Sequence, residues 1–582
     1  MRWLLYTLIC LCAVPFAAMA IELAPVKING LDKKLEAHVR SAIALPEDAG
    51  KSLQITEGRL SYYMGSLDAL VEDSLEPMGF YDVRVDSRLV RNGEAAQIII
   101  DIELGEPVRV RQSDLRVDGP GAKDRVIGFW LEGFEPSVGD VFEHSIYEAS
   151  KADITQALLD RGYFDQNLSE HEVKVTRSSQ SADINLAWDS GPRYRYGGIR
   201  FEGSIFEPGL LEQLVGFEEG QYYTQTQIYR LQESLSKLGY FSSIQIVPDL
   251  DQKSDGSVPI VITVTPAQQN SQYASLRYGT ETGFGVQYGI ERRWINTQGH
   301  KINIDLSYAQ FERSITALYR IPAFRWLDGW YGFGFTVREE DFFNAPFSYF
   351  EVFGNRSGEY RGWDLLAALK VRRERFDGAV PDFDPSAAVA VYTTTVYPEL
   401  KAFWRSTNDN YPASGSAWRL MARTGYELET ADAFFVQAYA MNRRIYSFGT
   451  DNRILLRGEL GALATQDYSF FPTSLRFYAG GADSIRGYAF REIGVYDGNS
   501  NLGGKYLATA SVEYERKILP SWAVAGFVDA GDAFDSSPTL NVGTGIGARW
   551  RSPIGPVRLD VAYGFDGPNP GYAVYFSLGS DL

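Results

Sequence analysis

The chain has few residues able to do covalent or metal chemistry. Its four histidines, His38, His144, His171 and His300, are scattered over separate stretches, which indicates neither a metal cluster nor a histidine-based triad. No G-x-S-x-G elbow and no phosphate-binding loop occurs. Gly543-Thr544-Gly545-Ile546-Gly547 looks nucleotide-like but lies inside an alternating strand pattern and opens no helix. These observations predict no enzyme activity, no cofactor and no metal. What remains is charge pairing. Arg486 lies in a glycine-rich segment, Gly480-Gly481-Ala482-Asp483-Ser484-Ile485-Arg486-Gly487-Tyr488. A confined arginine needs a carboxylate, because an unpaired buried charge is costly.

The elements that would confine it follow in sequence. If Val542, Thr544, Ile546 and Ala548 face outward, then Gly543, Gly545 and Gly547 face inward. A row of glycines removes bulk where another segment must come close. The same phase turns Phe527 and Asp529 inward on the strand before, and Glu513 and Glu515 on the one before that. From Tyr273 to Leu582 we count sixteen extended segments. Many alternate cleanly, as in Val557, Leu559, Val561, Tyr563 and Phe565 on one face against Arg558, Asp560, Ala562 and Gly564 on the other. One apolar face and one small or polar face, repeated this often, predicts a transmembrane β-barrel. Compact turns at Asn296–Gly299, Gly449–Asn452 and Ser552–Gly555 follow even-numbered segments. The long connections at Phe376–Ala387 and Gly461–Asn501 follow odd ones. An even count returns the carboxy terminus to the side from which the barrel starts.

Ahead of the barrel the texture differs. Gly79-Phe80-Tyr81, Gly162-Tyr163-Phe164 and Gly239-Tyr240-Phe241 recur at intervals of about 80 residues, a small but foldable unit. Upstream of each lies an amphipathic stretch: Leu67, Leu70, Val71 and Leu75; Ile154, Ala157 and Leu158; Ile228, Leu231, Leu235 and Leu238. Three- and four-residue steps of this kind make one buried helix face. The glycine is read as a helix cap, after which the aromatics enter a strand. A second strand closes each unit at Ile98–Leu104, Ala182–Trp188 and Pro259–Val264. Each unit therefore reads β-α-α-β-β.

Arg2, the apolar run Trp3–Phe16 and Ala18-Met19-Ala20 have the layout of a secretory signal peptide cleaved before Ile21. Cys10 and Cys12 both lie within that leader, so disulfides are not expected after cleavage. The formal charge of −18 argues against a nucleic-acid partner. Aromatics at 14%, with 56 glycines, suit a barrel and also a soluble β-sandwich. The expected division is residues 1–20 leader, 21–106, 107–190 and 191–267 three repeats, and 268–582 barrel.

The triplet repeats resemble POTRA domains, and together with the barrel they resemble the BamA/TamA-like outer-membrane assembly superfamily. Ile485-Arg486-Gly487-Tyr488 is similar to that family's lumen-loop signature. Asp409-Asn410-Tyr411-Pro412 with Gly415, and Arg551-Ser552-Pro553-Ile554-Gly555-Pro556, resemble two of its periplasmic turns. The resemblance implies that Arg486 contacts the Phe527/Asp529 strand and that Glu513 is the family's acidic position; the row Gly543, Gly545 and Gly547 is read from its phase as part of the loop's receptor. Three arm domains rather than five resemble the TamA-type members. This implies a TamB-like inner-membrane-anchored partner, unfolded outer-membrane protein or autotransporter clients, and contact with outer-membrane lipid. The alternatives are a two-partner secretion transporter, a BamA-like insertase or a passive porin. The resemblance also implies a weak barrel seam between the segments bearing Tyr273 and Gly279 and those bearing Gly571, Tyr572, Phe576 and Leu578, where prolines and glycines shorten pairing.

Overall fold

The computed structural model describes residues 20–43, 53–92, 95–279, 283–325, 328–341, 346–378, 389–429, 432–498, 500–553, 555–567 and 569–578. The leader, both cysteines, Thr280, Pro568 and the last four residues lie outside them, as does most of the 376–387 connection.

The first repeat folds as expected and adds a strand. Helix Lys33–Ala42 starts at Asp32, whose carboxylate accepts the Leu35 N–H at 2.9 Å. Helix Glu57–Leu75 buries Leu60, Tyr63, Leu67, Val71 and Leu75, one stripe at helical spacing, while Leu70, expected inside, is exposed. Both helices cover a four-stranded sheet in which Ala20–Asn29 runs parallel to Ala95–Glu103, with Arg84–Asn92 antiparallel beyond it. The added strand, Leu53–Thr56, pairs antiparallel with the first.

The second repeat has the β-α-α-β-β order. Arg109–Asp118 lies parallel to Ser181–Asp189, which pairs antiparallel with Asn167–Thr176. Its core, around Ile127, Ile154, Leu158, Ile184 and Trp188, is separate from the first. In the third repeat the strands Arg195–Glu202, Ser257–Pro266 and Phe241–Pro248 lie side by side in that order. Its first helix is reduced to the 3-10 turn Leu211–Leu214. Pro208-Gly209 and Gly216 bracket too few residues for more.

The triplets do something different from what was expected. Gly79, Gly162 and Gly239 do take positive φ, at 92°, 85° and 65°. In the first two repeats, however, the aromatics precede the strand, which starts only at Arg84 or Asn167. They are occupied at joints between modules. Gly79 O accepts the Val108 N–H, Gly162 O the Tyr194 N–H, and Tyr240 O the Ala267 N–H, each at 2.8 Å. Tyr81 hydrogen-bonds His144 at 2.6 Å, and Phe164 packs edge-on against Tyr223.

The barrel is one sixteen-stranded antiparallel sheet in strict chain order, from Asn270–Gly279 to Gly571–Leu578. Outward positions such as Val524, Val528, Leu559, Val561 and Val574 are exposed and apolar, while their neighbours in sequence turn inward. Ladder pairing satisfies the backbone, as a membrane requires. Among the described residues, every neighbouring pair of strands shares a hydrogen-bonded register, but none joins the first strand to the last. The described parts of the strands flanking that break are 10 and 8 residues, comparable with the 9 and 10 of Lys301–Ala309 and Gly555–Gly564. Barrel packing also takes in Phe201–Gly216 and Leu231–Gln245, which belong to the barrel's compact unit; the first two sheets form the core of the other.

Candidate functional site: a latched loop inside the barrel

The eleventh strand (Asn452–Thr465) and the twelfth (Tyr506–Leu519) are separated by residues 466–505, which fold back among inward side chains. The loop has its own frame. Arg476 donates to the carbonyls of Phe471, Tyr468 and Leu502 at 2.9 to 3.0 Å, tying both ends of the segment together. Phe471, Leu475, Phe477, Ile485, Tyr488 and Ile493 form a core with Tyr397, Phe435, Leu463 and Leu507 of the wall.

At the tip of the loop Gly487 has φ of 102°, a value only glycine adopts easily, and a Cβ there would lie 2.6 Å from Gly564 N. That turn delivers Arg486 to the wall. Its backbone N–H donates to Asp529 Oδ2 at 3.0 Å, while Nε and Nη2 reach the two oxygens of the same carboxylate at 2.7 and 3.0 Å. Nη1 donates to Glu513 Oε2 at 2.6 Å and lies 3.3 Å from Asp560 Oδ2. The guanidinium rests 3.3 Å from the centroid of the Phe527 ring. Asp529 is completely buried and Arg486 nearly so. A bidentate, charge-assisted pair of this kind is among the stronger polar contacts available.

Glycine makes the approach possible. A Cβ on Gly543 would stand 1.7 Å from Arg486 O, one on Gly545 2.5 Å from Phe527 Cζ, and one on Gly547 1.8 Å from Asp560 Oδ1. The structure thus brings Ile485, Arg486, Gly487, Tyr488, Phe527, Asp529, Glu513 and the three glycines into one site.

Other members of the site were not singled out from sequence. Arg549 donates to Glu513 Oε1 from Nε and Nη2 at 3.0 and 2.6 Å, and to Asp560 Oδ1 at 2.6 Å. Arg486 and Arg549 therefore share two carboxylates, Glu513 and Asp560. Tyr575 OH accepts from Gly487 N at 3.0 Å and donates to Tyr488 O at 2.6 Å. The available signal was alternation: Arg549 continues the inward row of Gly543, Gly545 and Gly547, and Asp560 and Tyr575 keep the inward phase of their strands.

The residues expected at the seam stand apart from this site. Tyr572, Phe576 and Leu578 are exposed on the outer face of the last strand, whereas Tyr575 between them is buried. Tyr273 leans over Gly289 and donates a hydrogen bond to Asp305. Gly279 and Gly571 lie at the ends of the first and last strands.

Comparison with known proteins decides the family. The Omp85 superfamily domain matches residues 267–582, more than half of the chain. The chain belongs to the Omp85 superfamily. It is an outer-membrane protein of the assembly and secretion type, with its barrel in the membrane and its POTRA arm in the periplasm. Residues 194–267 match the POTRA family described as surface antigen variable number repeat, and residues 25–104 match the first POTRA domain of TamA. The chain is 24% identical over 609 residues to the outer membrane protein assembly factor BamA of Nitratidesulfovibrio vulgaris, covering 95% of this chain and 72% of that protein. It is 21% identical over 197 residues to BamA of Neisseria meningitidis serogroup B, covering 31% of this chain and 24% of that protein. The crystal structure of Haemophilus ducreyi BamA lacking POTRA domains 1–3 superposes with a TM-score of 0.64 at 17% identity. The match covers 81% of this chain and 99% of that one, and it shows that the fold is shared.

Proposed function

We propose that this Omp85 protein is a TamA-type assembly factor that inserts or secretes β-barrel clients, autotransporters among them, through the junction of its first and last strands. The carrying observation is that junction: the first and last strands approach each other, yet among the described residues no ladder joins them, whereas each other neighbouring pair has one. Unpaired strand edges in lipid cost several kcal/mol per backbone group, roughly, and an incoming strand relieves that cost by β-augmentation. The buried Arg486 latch supports the reading, since it fixes the loop to strands twelve to fifteen beside the junction. The arm supports it too. The middle repeat has the strand order of the two matched POTRA regions, which argues for three such domains, and the TamA match falls on the first. The arm would dock clients and a TamB-like protein anchored in the inner membrane.

Reconstitution tests this directly. Vesicles containing the protein should speed the folding of an unfolded outer-membrane barrel, autotransporter barrels included, and the Arg486→Ala variant should not. Clients folding no faster than in empty vesicles would reject the reading. Co-purification of an inner-membrane-anchored protein from native membranes tests the proposed partner.

A further inference from the structure

The two periplasmic turns that resemble the superfamily's have no part in the mechanism so far, yet they meet. The first joins the eighth strand, Val389–Arg405, to the ninth, Gly415–Glu427. It is closed by Ser406 and Ser416, whose backbones and the Ser406 hydroxyl exchange hydrogen bonds at 2.9 Å. Within it, Asp409 Oδ1 accepts the Tyr411 N–H at 2.9 Å, and Pro412 restricts the backbone of Tyr411 before it. The second turn follows the fourteenth strand, Asn541–Ser552, and presents Arg551.

The turn aims Tyr411 inward, where its ring meets two guanidiniums, Arg453 at 3.5 Å and Arg551 at 3.9 Å from the centroid. Its hydroxyl donates to Glu515 Oε2 at 2.9 Å, and the neighbouring Pro412 O accepts from Arg453 Nη1 at 2.8 Å. Arg453 also donates to Glu515 through Nε at 3.0 Å. The other oxygen of Glu515 lies 3.3 Å from Arg549 Nε. Arg549 in turn holds Glu513 and Asp560, the carboxylates that grip Arg486. Side chains of alternating charge therefore run from a periplasmic turn to the tip of the loop, Glu515 and Arg549 being joined by an ion pair at 3.3 Å rather than by a hydrogen bond. Glu515, Arg549, Glu513 and Arg486 are all buried, where neighbouring polar contacts polarise one another and a shift in one is felt by the next.

We propose that Tyr411 is a positioning residue for the lumen loop: by fixing Glu515 at the foot of this column it sets Arg549, and through Glu513 the seat of Arg486. A change at the periplasmic mouth would thereby reach the loop without any movement of the barrel wall. The inference rests on the latch geometry and not on which client the protein serves.

The test uses the full-length protein in detergent micelles, with Cys10 and Cys12 replaced by Ala and a single reporter, Ser484→Cys, beside Arg486. Alkylation of that thiol by a water-soluble maleimide reads how often the loop lifts from the wall. Tyr411→Phe keeps the stacked ring and removes the hydroxyl's bond to Glu515 together with its contact with Arg551. It should raise the alkylation rate about threefold, and Tyr411→Ala about tenfold, the size of effect usual for coupled polar networks. In an Arg486→Lys background, where the latch is already loosened, Tyr411→Phe should add nothing. Unchanged rates in both Tyr411 variants would overturn the proposal. So would effects that multiply in the Arg486→Lys background, because a turn that merely stabilises the barrel would act independently of the latch. Should Tyr411→Ala fail to form a heat-resistant barrel, Tyr411→Phe alone decides.

Discussion

Arg486 shows how the site balances a costly burial. Its charge sits among Asp529, Glu513 and Asp560, and removing one partner leaves the others uncompensated in a region of low dielectric. Arg486→Ala and Asp529→Ala should each destabilise the barrel by about 3–5 kcal/mol, and the double variant should cost less than their sum by at least ~1 kcal/mol. Heat-modifiability midpoints of the four proteins measure this, and strict additivity would mean that the pair is not coupled. Gly543→Ala makes a separate point, because its Cβ would fall on the carbonyl of Arg486. That variant should unseat the loop, and with it client folding in vesicles, while the sheet register stays as it is. The Arg486 segment and the inward phase of Glu513, Phe527 and Asp529 were legible because they need only alternation. Alternation turns Arg549, Asp560 and Tyr575 inward, but which of the many inward residues meet Arg486 depends on register across four strands and on the path of a forty-residue loop.

The recurring elements were legible by period, and their limits were not. Buried residues on helix Glu57–Leu75 fall at the predicted spacing, and all sixteen barrel strands exist. The extra strand Leu53–Thr56 was missed because four residues carry too little pattern, and the reduced helix at Leu211–Leu214 because proline and glycine cut it short. The aromatics of the triplets were read as strand starts because strand and joint use the same residue types. One element prediction concerns the second repeat, where Arg111 donates to Asp183 across the parallel pair of strands. That hydrogen bond holds the Asp183 carboxyl below its ordinary value of 3.8. A group depressed in the folded state contributes stability above its unfolded pKa and loses that contribution as pH falls through the folded one. Amide exchange of this sheet in wild type and Asp183→Asn should therefore differ by a constant amount from neutral pH down to 3.8, and the two should converge below it. A difference that persists at still lower pH would show that the pair acts through packing instead.

At the scale of the whole molecule, alternation and turn parity revealed an even-stranded barrel following a repeated arm, and the Omp85 match agrees. Whether the sheet closes on itself was not legible, since closure is a property of two edges far apart in sequence. The proposed function depends on that junction, with the latched loop steadying one side and the first strands, Asn270–Gly279 onward, forming the other. The most direct measurement is client folding in vesicles by a protein carrying one cysteine in Asn270–Gly279 and one in Gly571–Leu578, compared before and after reduction of the disulfide between them. The account predicts that the oxidised protein is inactive and that reduction restores activity. Full activity with the junction locked would contradict it.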